Sequence, residues 1–193
     1  MLCNAQPASL EQLINDGDRV LVLPAASAPD TGPLRFAADA HLGALARLLR
    51  MAGFDTLFDN AWPDDTLASL ALHDGRVVLS RDRDLLKRRD VVRGCHLHAL
   101  DPDEQLRELA QRYGLAQAAQ PFRLCLECNA PLEPVERNGL EQRVPAAVLE
   151  RHRRFRACPV CRRVFWEGSH WQRMHQRLSQ ALGLPARGRQ ANG

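Results

Sequence analysis

The sequence predicts an α/β domain with a mainly parallel sheet, followed by a small module organised by cysteines. Three observations carry this. Short apolar runs alternate with helix-period stripes through residues 34–114, the pattern of βαβ units. Two of those runs stop abruptly in acid, at Asp39 and in Ser80-Arg81-Asp82. Past Pro121 the composition turns to cysteine, proline, short apolar runs and arginine.

In order, Leu10, Leu13 and Ile14 fit a short helix, and Gly17-Asp18 is a turn signal. Residues 19–23 (RVLVL) read as a strand and residues 24–33 as an Ala/Pro/Ser-rich linker. One helix, a turn and one strand cannot bury a core alone. Residues 34–38 form a strand that ends in Asp39. Leu42, Leu45, Ala46, Leu48 and Leu49 then recur at helical spacing, with Gly53 just past the helix end. Residues 56–58 make a second strand. Asp64 or Asp65 caps the next helix, which turns Leu67, Leu70 and Ala71 inward and stops at Gly75. Residues 77–79 (VVL) suit a strand buried on both faces. A short helix follows near residues 85–88, and residues 95–99 read as a fourth strand. Asp101-Pro102-Asp103-Glu104 supplies an N-cap, a proline at the first helical position and a glutamate at the third. Leu106, Leu109, Ala110 and Tyr113 continue that stripe to Gly114. Such alternation implies right-handed crossovers. Residues 115–121 form a linker, residues 169–182 a last helix, and residues 184–193 a disordered tail.

At 193 residues, 45% apolar and 25% charged, the chain has room for one ordinary domain and a small one. No apolar run reaches the roughly 18 residues of a membrane span. No basic stretch followed by an apolar one marks a leader, so the expected compartment is the cytoplasm. The net charge of +3 conceals an asymmetry: residues 122–193 hold thirteen arginines against six glutamates, so the last third is at +7 and the rest at −4. Such a basic segment suits an anionic partner, or is a solvated face.

Of six cysteines, Cys3 and Cys95 stand alone and are read as incidental. Cys125-Leu-Glu-Cys128 and Cys158-Pro-Val-Cys161 are two knuckles separated by 29 residues. Each places two sulfurs on one tight turn, and together they offer the four thiolates of a closed structural zinc site. The long gap implies an insertion near residues 134–155. Disulfides do not suit the expected compartment, and a redox motif needs only one pair. Around the knuckles, RHRRFRACPVCRR contains six arginines and no acid. Arg153, Arg154, Arg156, Arg162 and Arg163 are candidate phosphate ligands. His170 and Trp171 are either base-stacking groups or core; Phe155 and Phe165 are read as core.

Asp39, Asp82 and Asp84 follow strand ends, and Asp64 and Asp65 open a helix. If the first and third strands of the main sheet are neighbours, these acids converge at one edge. Clustered carboxylates repel unless a cation neutralises them, and oxygen-only donors favour Mg²⁺ or Mn²⁺. Such a site can hold a phosphodiester and activate water, with Arg47, Arg50 and Arg81 as candidate phosphate holders. Singly, each aspartate reads as a helix cap or solvated turn. No P-loop, dinucleotide glycine pattern or Ser/His/Asp set competes, so no nucleotide cofactor is expected.

The motifs FAADAHLGALARLLRMAGFDTLF, VVLSRDRDLLKRR, DPDEQLRELAQRYGL, RLCLECNAPLEPV, CPVC and FWEGSHWQRM together resemble the Mut7-C RNase domain, over about residues 34–174. The resemblance implies a PIN-like three-layer α/β/α nuclease domain (residues 34–120), a zinc ribbon with a C-terminal helix (residues 121–183), and a metal-dependent endoribonuclease acting on RNA. It implies that Asp39, Asp82 and Asp84, with Asp64 or Asp65, are the catalytic acids, and that the four cysteines hold zinc. His41 departs from the small or apolar residue usual at its position. Residues 1–33, through GDRVLVLP, are similar to the end of a ubiquitin-like β-grasp domain, and are expected to be poorly ordered or docked as a lone strand. A non-catalytic RNA- or ribosome-binding module is the second reading, and a protein-interaction adaptor the third.

Overall fold

The computed structural model describes residues 2–3, 6–7, 13, 15–21 and 33–184. They fall into two compact units, one ending at Pro33 and one beginning at Leu34. The first contains β1 (Leu2–Cys3), β2 (Gln6–Pro7) and β3 (Val20–Leu21), paired antiparallel in the order β2-β1-β3. The expected strand is therefore not alone: Leu2 is in register with Leu21 and Cys3 with Val20. The short helix expected around Leu10 and Ile14, most of the linker and nearly all of the tail lie outside the described residues. Leu13 is described and is 89% exposed.

The second unit is built on β4 (Phe36–Ala38), β5 (Thr56–Phe58), β6 (Val77–Ser80) and β7 (Gly94–His96). Their order is β5-β4-β6-β7, and every neighbour is parallel. Side chains alternate across the sheet. Phe36, Ala38, Val77, Leu79 and Cys95 face α1 (Gly43–Ala52), α4 (Pro102–Tyr113) and α7 (Ser169–Leu182). Ala37 and Val78 face α2 (Asp64–His73) and α3 (Arg83–Leu86) on the other side. Helices thus cover both faces, which is why VVL needs no polar alternation. The chain is wound one way from β4 to β5 and the other way to β6, so the strand order reverses between β4 and β6.

The proline-led cap acts as read, but Asp64 and Asp65 do not cap α2: Pro63 holds the N-cap position with no side-chain hydrogen bond, and both aspartates lie in the first turn of the helix. Asp101 accepts from the N–H groups of Asp103 and Glu104 at the start of α4. Gly53 ends α1 at φ 94°, and an added Cβ would clash with the Gln120 carbonyl oxygen. That position needs glycine both for conformation and for the approach of the linker, where α5 (Leu115–Ala118) lies.

The ribbon has β8 (Glu133–Val135), β9 (Phe155–Ala157) and β10 (Val164–Trp166), antiparallel in the order β10-β9-β8. The insertion contributes α6 (Ala146–Arg151), and Leu140, Val144, Leu149 and Phe155 form a separate small core. Phe165 packs beside the cysteines. Helix α7 does not complete the ribbon. Its Leu178, Ala181 and Leu182 enter the main core, and Leu184 packs there too. No helix among the described residues is long and apolar enough to cross a membrane.

Arg76 secures the amino end of the sheet. Its Nη1 and Nη2 each donate to Asp55 at 2.9 Å, Nε donates to Asp74 Oδ2, and Nη1 also reaches the Phe36 carbonyl at 3.2 Å. Burial raises the Asp55 carboxyl, but hydrogen bonds from Arg76 and Asn129 outweigh it and hold the group below its usual value. A depressed carboxylate stabilises the fold above its unfolded pKa and loses that contribution as pH falls through the folded one. Thermal unfolding should therefore show stability falling below about pH 4, with the dependence weakened in Asp55→Asn. Arg76→Ala should cost about 1–3 kcal/mol, less than breaking a fully buried pair, because the Asp55 and Asp74 side chains left behind are about a third exposed.

Candidate functional site

Parallel pairing of β4 with β6 puts Ala38 opposite Leu79, so both strands deliver their next residues to one end of the sheet. The Asp39 N–H donates to the Leu79 carbonyl at 3.0 Å. The residue is only 9% exposed, and its carboxylate accepts from the Ala40 N–H through Oδ1 (2.6 Å) and from Ser80 Oγ through Oδ2 (2.6 Å). Ser80, fully buried, also accepts from the Asp82 N–H at 2.8 Å. Asp82 Oδ1 in turn accepts from the Asp84 N–H at 2.7 Å and caps α3. One buried hydroxyl therefore ties the two acid-bearing loops together. This is where open α/β sheets bind ligands, outside the carboxyl ends of strands at the reversal of strand order. The sequence reading treats Ser80 only as the end of a strand; its place in the Ser-Arg-Asp run was the available signal.

The other acids are less closely engaged. Asp84 is exposed and bonds Lys87 Nζ at 2.8 Å, which holds it below the usual carboxylate range. Asp64 and Asp65 open α2, and Asp65 pairs with Arg88 at 2.7 Å. His41 is exposed in the 3-10 turn after Asp39.

Among the described residues, the four cysteines are the group whose donor atoms all lie within 4.8 Å of one another; the aspartates form no such group of three. The two knuckles are built alike. Asn129 N–H donates to Cys125 O at 3.0 Å, and Arg162 N–H to Cys158 O at 2.9 Å. Both residues that follow the second cysteine are left-handed, at φ 61° and 60°. Cys125 and Cys161 sulfurs are 3.7 Å apart. The Arg163 N–H draws the Cys161 thiol down to about 7, whereas burial pushes Cys125 up. Four sulfurs this close could hold a metal ion, and the sulfur-only set fits zinc.

The arginines separate into three roles. Arg50, a candidate phosphate holder by sequence, is 5% exposed, and its guanidinium is engaged by backbone carbonyls. Its Nε donates to the Thr56 carbonyl at 2.8 Å, and Nη1 to those of Leu126 (3.0 Å) and Glu127 (2.8 Å). It fastens the first knuckle to α1 and β5. Arg47 and Arg163, both exposed, share Glu127 Oε1 at 2.7 and 3.0 Å. Arg81 is exposed beside the acidic corner. Arg153, Arg154 and Arg156 line a groove of about 1370 Å³ with His170 and Trp171. Trp171 packs on Phe122 (centroids 4.9 Å) and His175 (5.0 Å). Arg162 and Arg163 line a smaller hollow of about 460 Å³. None of the five candidate acids lines the groove.

Purified protein is expected to carry zinc at the four cysteines. Chelation should abolish hydrogen-exchange protection in the ribbon, and Cys158→Ala should lose the metal. Metal analysis with exchange mass spectrometry checks this, and a chelator-resistant ribbon would count against the site.

Comparison with known proteins agrees with the motifs. The family model described as the Mut7-C RNAse domain matches residues 34–178. No curated protein and no solved structure matches the chain. The matched region takes in the parallel sheet, the acidic corner and all four cysteines, and the chain belongs to the Mut7-C RNAse domain family.

Proposed function

We propose that the chain is a PIN-like, metal-dependent endoribonuclease. The observation that carries this is the Asp39–Ser80–Asp82 linkage at the strand-order reversal, in a member of an RNase family. The donor chemistry fits a hard divalent cation. Each carboxylate oxygen has two acceptor sites, so Asp39 retains free lone pairs beside its two hydrogen bonds. Asp39, Asp82 and Asp84 would hold Mg²⁺ or Mn²⁺, joined by Asp64 or Asp65. When bound, the ion supplies charge for the phosphodiester and lowers the pKa of attacking water. Ser80 keeps Asp39 oriented, and Arg81 would neutralise an incoming phosphate. Asp84 and Asp65, both exposed, would exchange Lys87 and Arg88 for the cation.

RNA would lie in the ribbon groove. Guanidinium groups of Arg153, Arg154 and Arg156 suit phosphate oxygens, and the Trp166 and Trp171 faces suit unpaired bases. One observation favours the second reading, a binding module without catalysis: the groove has no candidate acid in its lining.

Asp39→Asn and Asp82→Asn should reduce cleavage of a mixed RNA pool to background while RNA affinity is retained. Ser80→Ala should lower it roughly tenfold to a hundredfold, the usual cost of losing a group that orients a metal ligand. Cleavage at the wild-type rate by both aspartate variants would contradict the acidic site. RNA binding without metal-dependent cleavage by the wild type would favour the binding module. Replacing Arg153, Arg154 and Arg156 with alanine should weaken single-stranded RNA binding. It should also flatten the plot of log affinity against log salt, by about 0.7 for each phosphate no longer neutralised.

A further inference from the structure

The carboxyl end of β7 carries a side-chain cluster that neither the acidic corner nor the ribbon uses. His96 lies in register with Ser80 on β6. His98 comes two residues later, and the imidazoles meet edge to face with centroids 4.6 Å apart. His96 Nδ1 is 3.4 Å from His98 Nε2. The remote nitrogen of each ring faces an acceptor. His98 Nδ1 is 2.8 Å from Glu108 Oε1, and His96 Nε2 is 3.2 Å from the Arg81 carbonyl oxygen. Glu108 also accepts from the His98 and Ala99 N–H groups, at 3.1 and 3.4 Å.

A neutral imidazole has one N–H. An ionised carboxylate and a carbonyl can only accept, so each ring commits its proton to the remote nitrogen. The two near nitrogens, 3.4 Å apart, are then both without a proton. They repel at that distance unless a cation lies between them, and the edge-to-face rings would turn slightly to aim both at it.

We propose that His96 Nδ1 and His98 Nε2 are the protein ligands of a Zn²⁺ ion at the edge of the parallel sheet, separate from the cysteine site. Two nitrogens at about 2.0–2.1 Å from a tetrahedral zinc are about 3.3 Å apart, close to the spacing observed here. Glu108 and the Arg81 carbonyl act as the outer partners that fix tautomer and ring orientation in histidine metal sites. Two protein ligands leave two positions for water or an oxygen anion such as phosphate. Exposure of the His98 side chain, 71%, gives the ion a route in from solvent. Imidazole donors prefer zinc over Mg²⁺, so this site and the oxygen-only corner beside it take different metals.

The test uses full-length protein with its cysteine site loaded with zinc, at mildly alkaline pH, where protons compete least with the metal. Zn²⁺ and, separately, Mg²⁺ are titrated in, followed by calorimetry and long-range ¹H–¹⁵N spectra of the histidine rings. A second equivalent of zinc should bind and move the His96 Nδ1 and His98 Nε2 resonances, while Mg²⁺ leaves them in place. His96→Ala and His98→Ala should each lose that equivalent and keep the first. Glu108→Gln should weaken it roughly tenfold to a hundredfold. No second equivalent, or one that survives both histidine substitutions or leaves the two resonances unmoved, overturns the site. The resonances are read on the wild type, so the test holds even if a variant fails to fold.

Discussion

The arrangement of the candidate nuclease site depends on one pairing, that of β4 with β6. Both strands are apolar on both faces, and their burial between helix layers drives them together. Because side chains alternate with period two, a slip of one residue would reverse the faces of Phe36, Ala37 and Ala38. The packing that fills the core therefore also fixes where Asp39 emerges. Ser80 then turns proximity into geometry: its hydroxyl donates to one acid and accepts from the backbone of the other. Leaving either partner of such a buried bond unpaired costs about 1–3 kcal/mol, so the two loops are held in one arrangement before any ligand arrives.

The ribbon is tied to the same unit from a different side. Arg50 sends its guanidinium into the carbonyls of the first knuckle. Asn129 does two things at once. Its backbone takes the left-handed turn that closes the knuckle, while its side chain accepts from the Thr56 N–H at 3.0 Å and donates to Asp55. Asp55 is also the carboxylate that Arg76 grips. Metal binding at the cysteines, the start of β5 and the charge network at the amino end of the sheet thus share atoms, and disturbance of one is felt by the others. With α7 packed on α1 and α4, residues 122–184 are anchored at both ends.

Much of this was legible because its signals are local. A strand that stops in aspartate, a proline-led helix cap and a doubled Cys-x-x-Cys each fit within a few residues. What was not legible depends on partners distant in sequence. Arg50 has the same helical surroundings as Arg47, yet the carbonyls that claim it come from Leu126 and Glu127, and no local pattern separates the two. The strand expected over residues 95–99 ends at His96 because Glu108, on α4, takes the N–H groups of His98 and Ala99. The apolar stripe of α7 was visible, but which core it would enter was not. Ser80 illustrates the same limit: a small polar residue at a strand end has no evident role until its neighbour across the sheet is known.

The most direct measurement is anomalous diffraction from crystals grown with Mn²⁺, which locates the ion independently of any activity. The account predicts a manganese peak at the carboxyl ends of β4 and β6, within bonding distance of oxygens from both Asp39 and Asp82. Manganese bound elsewhere, or no peak there with both carboxylates open to solvent, would contradict it.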